Sequence, residues 1–112
     1  MNWIKLNSID ELELIKQKSF TTPQVIFKHS TRCSISSMAL SRLEKNESPA
    51  NIDFNFLDLI ANRNTSNKVS EDFNIQHQSP QILVIKEGKC VFDESHSSIY
   101  FDEIVDEALK AT

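Results

Sequence analysis

Gly88 is the only glycine in 112 residues, and there are three prolines. Tight turns must therefore be built from Asn, Asp, Ser and Pro. Two cysteines, Cys33 and Cys90, are too few for a disulfide scaffold. No apolar run approaches the ~20 residues that span a bilayer. Acidic side chains outnumber basic ones, for a net charge of −4. That mild acidity gives no reason to expect nucleic acid or an anionic membrane as partner. The N-terminus, Met1-Asn2-Trp3-Ile4-Lys5-Leu6-Asn7, is too short and polar for a signal peptide. The expectation is a cytoplasmic protein, with residues 1–112 forming one domain that buries its own core.

The apolar residues that are present follow a regular alternation. Met1 to Asn7 reads as a short strand. Ser8-Ile9-Asp10-Glu11 is a capping box, followed by a helix with Ile9, Leu12 and Ile15 on one stripe. Gln24 to Ser30 is a strand apolar on both faces, as in a sheet covered on both sides. From Cys33 to Lys45 the period is helical, with Ile35, Met38, Ala39 and Leu43 as the apolar stripe. Phe54 to Ile60 is a strand, and Asn64 to Ile75 a helix carrying Val69 and Phe73. Gln81 to Lys86 and Lys89 to Phe92 are strands joined by Glu87-Gly88, a two-residue hairpin signal. A last helix opens at Ser97-Ser98, with Phe101, Ile104, Val105, Ala108 and Leu109 inward. Strand, helix, strand in the first half implies a right-handed crossover and a parallel pair.

The chemistry concentrates in Phe27-Lys28-His29-Ser30-Thr31-Arg32-Cys33-Ser34-Ile35-Ser36. A strand runs into a lone cysteine where a helix begins. An unperturbed thiol ionises at about pH 8.5, and the thiolate is the nucleophile. Unpaired N–H groups and the positive dipole end at a helix start favour that anion. Arg32 adds a neighbouring positive charge, and the Ser34 and Ser36 hydroxyls are candidate donors to the sulfur. Cys33 is thus the candidate nucleophile, with Arg32 and Ser36 as its supports. Ser36 stands three residues on, where many redox enzymes carry a second cysteine. One thiol without a partner suits monothiol exchange, in which a second small thiol resolves the adduct.

His29-Ser30-Thr31-Arg32-Cys33, Ile35-Ser36 and Ser79-Pro80-Gln81 resemble the motifs of the YtxJ-like monothiol bacilliredoxins, within the thioredoxin-like superfamily. The resemblance runs over nearly the whole chain. It departs at Ser34, where that family usually has proline. It implies an α/β thioredoxin-like fold, with a central mixed sheet of about four to five strands flanked by helices on both faces. It also implies removal of a low-molecular-weight thiol, such as bacillithiol, from mixed disulfides on client proteins. Pro80 would be cis, with Ser79 offering backbone groups that align the bound disulfide like an added strand. Thr31 and Ser34 join Ser79 and Pro80 as the substrate-binding residues. The expected partners are S-thiolated clients and the small thiol, which serves as cosubstrate with no metal or prosthetic group. The chain would be a monomer or weak dimer.

Other readings stay open. The missing motif proline and second cysteine leave room for a thioredoxin-fold adaptor whose thiol does not turn over. A dithiol enzyme using Cys90 is weaker: Cys90 falls two strands across, roughly 10 Å sideways, and at the far end of the sheet. A disulfide needs Cα atoms within ~7 Å, so Cys90 reads as a core or edge residue. His29 shares a strand face with Val25 and Phe27 and reads as packed, with thiolate tuning as the alternative. Lys28, on the other face, reads as a solvent-reaching or substrate-facing cation, and His77 and His96 as surface residues.

Overall fold

Strands and helices alternate in the expected order. The computed structural model describes residues 1–111. Its elements are β1 (Trp3–Lys5), α1 (Ile9–Lys18), β2 (Gln24–His29), α2 (Ser34–Glu44), β3 (Asp53–Asp58), α3 (Arg63–Phe73), β4 (Gln81–Lys86), β5 (Lys89–Ser95) and α4 (Phe101–Leu109). A 3-10 turn at His96–Ser98 precedes α4. The five strands form one sheet in the order β1-β3-β2-β4-β5. β1, β3 and β2 run parallel, and β4 and β5 complete the sheet antiparallel. This is the thioredoxin-like plan: a mixed sheet with β2 at its centre and helices on both faces.

Alternation along β2 builds both faces of the core. Val25 and Phe27 pack with Ala39 and Leu43 of α2 and Ile104 and Ala108 of α4. Ile26, on the opposite side, packs with Leu12 and Ile15 of α1 and Val69 and Phe73 of α3. Asp72 of α3 pairs with both Lys16 of α1 and Lys68, tying the two helices of that second face.

The ends of the elements follow from local chemistry. The Glu11 N–H donates to Ser8 Oγ at 3.2 Å, while the Glu11 carboxylate accepts from the Asn7 N–H at 2.7 Å. The capping box thus closes one residue further back than its usual form. Asn74 ends α3 in the left-handed conformation, φ 54°, a role Asn fills when glycine is scarce. Glu87 and Gly88 both have positive φ, 53° and 77°, as a two-residue hairpin requires.

Several bounds and stripes differ from expectation. β3 ends at Asp58 and α3 at Phe73, short of Ile60 and Ile75. α4 opens at Phe101, since Ser97-Ser98 belong to the 3-10 turn before it, and Leu109 at its end is exposed rather than inward. β1 is only Trp3–Lys5. β5 continues to Ser95 because Asp93, Glu94 and Ser95 still pair with Leu83, Ile82 and Gln81 of β4. The stripe of α2 is rotated: Ser36, Ala39 and Leu43 are buried, whereas Ile35 and Met38 are 46% and 69% exposed.

Candidate active site

β2 ends at His29, and the chain turns sharply before α2. The Cys33 N–H donates to the Ser30 carbonyl at 3.2 Å, and the Arg32 N–H to Ser30 Oγ at 3.3 Å. Two further bonds fix this corner to the first turn of the helix. The Ser30 N–H donates to Ser36 Oγ at 3.0 Å, and the same oxygen lies 2.7 Å from His29 Nδ1.

Cys33 is the N-cap residue of α2, with extended backbone (φ −115°, ψ 118°). Its carbonyl accepts the Ser37 N–H at 3.0 Å, the first helical bond. No side chain caps the helix and no acidic residue lies in its first turn. The leading N–H groups therefore have no intrahelical partner and point toward the sulfur end of the helix. Cys33 is half-buried; Thr31, Arg32, Ser34 and Ser37 around it are exposed. The Cys33 sulfur itself accepts no capping hydrogen bond from that turn, and its partial accessibility at the helix start leaves it open to a disulfide brought from outside.

Ser36 does something other than expected. It is fully buried, and its hydroxyl is committed to Ser30 and His29 rather than held free for the sulfur. Its local work is to join the strand end to the helix. His29 is packed, as its strand face predicted. Its ring lies 5.9 Å from Phe27 and 5.4 Å from Phe56, centroid to centroid. Burial holds its pKa below the ordinary histidine value, against the opposing pull of Asp58 and Glu44.

Pro80 is buried, and the Ser79–Pro80 peptide is cis. Lys28 lies opposite Gln81 in the β2–β4 register. Cys33, just beyond β2, and Ser79-Pro80, just before β4, therefore stand at the same end of the sheet. Ser79 Oγ is buried without a hydrogen-bond partner. Ser34 occupies the first position of α2, one that tolerates proline because its N–H is unpaired in any case.

Cys90 lies at the other end. It pairs with Ile85, and Ile85 pairs with Gln24, the first residue of β2. It is thus about the length of a strand, roughly 15 Å, from the Cys33 end, besides being two strands across. Both cysteines are free. Burial is the main cause that pushes the Cys90 thiol up to about 11, which makes it a poor nucleophile.

Lys28 corrects the sequence reading most clearly. It is neither solvent-reaching nor substrate-facing: its exposure is 0%. Its Nζ donates to Ser70 Oγ at 2.9 Å and lies 3.2 Å from His77 Nδ1. Burial lowers its pKa to about 8. His77, read as a surface residue, is exposed, and its Nδ1 is engaged by Lys28. The signal was available: Lys28 sits inside a run where both strand faces are apolar. Among the described residues, no cluster of three His, Cys, Asp or Glu side chains could hold a metal. Among the described residues, no helix is long and apolar enough to cross a membrane.

The family model "Monothiol bacilliredoxin BrxC" matches residues 4–104. The chain belongs to the monothiol bacilliredoxin family. Among solved structures, it is similar to a thioredoxin-fold protein described as a candidate oxidoreductase: 27% identity, TM-score 0.81, covering 93% of this chain and 91% of that one. Thioredoxin from Fasciola hepatica matches at 19% identity and TM-score 0.69, covering 82% of this bacilliredoxin and 85% of its own chain. Thioredoxin from Trypanosoma brucei brucei matches at 17% identity and TM-score 0.70, over 86% and 80%. These two thioredoxins bear on the fold alone. Family and fold together support thiol redox chemistry in general terms.

Proposed function

We propose that this bacilliredoxin removes a low-molecular-weight thiol from mixed disulfides on client proteins, with Cys33 as its only exchanging sulfur. The observation that carries the reading is the pairing of a half-buried Cys33 at the N-cap of α2 with a fully buried Ser36 three residues on. The thiolate of Cys33 attacks the sulfur of the small thiol in the mixed disulfide. That S–S bond breaks, the client leaves as thiolate and takes a proton, and a new disulfide links Cys33 to the small thiol. A second molecule of the small thiol, as thiolate, attacks this adduct. It departs as the small-molecule disulfide, and the Cys33 thiolate is regenerated. The second small thiol is the reductant: its electrons reduce the client, and it ends oxidised in the small-molecule disulfide. The backbone of Ser79, next to Pro80, aligns the incoming disulfide, and Thr31, Arg32 and Ser34 flank it.

The test is release of the adduct from a bacillithiol-modified model protein, with wild type compared against Cys33→Ala. The expected result is release by wild type and none above background by Cys33→Ala. Equal release by both ends the reading and leaves a thioredoxin-fold adaptor. Failure of the wild type with bacillithiol but release with another small thiol would keep the reaction and change the cosubstrate.

A further inference from the structure

The ammonium of Lys28 is buried between β2 and α3, and among the described residues it pairs with no carboxylate. Its partners are two neutral acceptors, Ser70 Oγ at 2.9 Å and His77 Nδ1 at 3.2 Å. A buried charge held only by neutral groups opposes folding, and an unbranched apolar side chain would fill the same space more favourably. What Lys28 contributes is therefore sought in what it holds. His77 lies in the short stretch after α3 that leads into Ser79-Pro80.

Gln81, opposite Lys28 on β4, is itself 1% exposed. Its Nε2 donates to the Gln76 carbonyl at 3.0 Å, and its Oε1 accepts the Gln78 N–H at 3.4 Å. Two buried polar side chains on adjacent central strands thus hold Gln76, His77 and Gln78 in succession. Gln81 holds the backbone; Lys28 holds the side chain between its two attachment points and links it to α3. His77 can accept only while its Nδ1 is unprotonated. Partial burial and the neighbouring charges of Lys28 and Arg63 lower its pKa and keep it so.

We propose that Lys28 is a positioning residue for thiol exchange: acting through His77, it fixes the segment Gln76–Ser79 so that the Ser79 backbone is set to receive the client's disulfide. This rests on the exchange role proposed above for Cys33 and Ser79.

The test compares wild type with Lys28→Met, His77→Ala, the double variant and His77→Asn, whose Oδ1 can replace Nδ1 as acceptor. Expected is a KM for the thiolated client raised about tenfold in each of the first two, the effect of losing one hydrogen bond to a charged donor. The double variant is expected to be no worse than the worse single variant, because both break one link. His77→Asn returns KM to within about twofold of wild type on the same reasoning. The rate at saturating client and the alkylation rate of Cys33 by iodoacetamide stay unchanged. A merely structural role would instead lower thermal stability and kcat together and leave KM alone.

Hydrogen exchange of the Gln76–Ser79 amides reads the same tether with no substrate, and is expected to quicken about tenfold in both single variants, by the same loss. Unchanged KM in His77→Ala, additive effects in the double variant, or unchanged amide exchange overturns the proposal. Should Lys28→Met not fold, His77→Ala carries the test, since it alters an exposed loop residue. A wild type that exchanges no thiol sinks the exchange reading instead, and the amide result still decides whether Lys28 holds the segment.

Discussion

Ser36 Oγ stands 2.7 Å from His29 Nδ1 and also receives the Ser30 N–H at 3.0 Å. One hydroxyl thereby joins the end of the central strand to the first turn of the helix that carries Cys33. Ser36→Ala leaves both the Ser30 N–H and the His29 ring nitrogen without that partner inside the protein. The expected loss is about 1–3 kcal/mol of unfolding free energy, measured by urea titration. A change below about 0.5 kcal/mol, the range of ordinary surface substitutions, would contradict this role.

Ser34→Pro places a proline directly after Cys33. Ser34 is the first helical residue, a position where proline loses no helical bond and restricts the unfolded chain. The melting temperature of the variant is expected to equal or exceed that of wild type, by an amount worth up to about 1 kcal/mol. A marked drop in melting temperature would show that the Ser34 N–H holds something the helix needs.

Lys28 predicts an alkaline rise in stability. Its folded pKa of about 8 lies below the ordinary 10.5. Below pH 8 the folded chain carries the full penalty of a buried charge. Between pH 8 and 10.5 the unfolded chain holds more protons, so stability climbs with pH by at most about 1.4 kcal/mol per unit. Urea midpoints across that window are expected to rise in wild type and to lack this component in Lys28→Met. Parallel profiles for the two proteins would refute it.

His29 predicts an acid loss. Burial keeps its folded pKa below 6.5, so the unfolded chain binds a proton first as pH falls. Stability is fully present above about pH 6.5 and declines below it as the pH approaches the depressed folded value. His77 is shifted in the same direction and adds to the slope. His29→Leu is expected to show a shallower decline between pH 6.5 and 5 than wild type, read by thermal melts, with the His77 component remaining. An unaltered slope would mean that His29 is not held neutral by the fold.

Most of the fold was legible because it depends on period and punctuation. The run Val25-Ile26-Phe27, apolar on both faces, marked the central strand, and Gln81 to Lys86 came with its observed bounds. The tail of β5 was hidden because Asp93, Glu94 and Ser95 are poor strand formers. They serve on an edge strand, where charge also discourages pairing with another chain. The stripe of α2 was misread for a different reason. Counting apolar residues put Ile35 and Met38 inside, but the phase of that helix is set by the Ser36 bonds at its start, which sequence spacing does not show. The place of Cys33 at the junction of strand and helix was legible from the strand–cysteine–helix order. The links His29–Ser36 and Lys28–His77 were not, because each depends on which way a polar side chain turns once both sheet faces are covered.

The placement of the two sulfurs at opposite poles of the sheet has a bearing on recovery. A molecule burdened at Cys33 cannot shed that load onto Cys90 within the same chain. On the exchange proposed for Cys33, its turnaround would be a collision with something supplied from outside, and its pace would follow the abundance of free reductant around it. Under a shortage it would accumulate in the loaded form and stop working until supply returned.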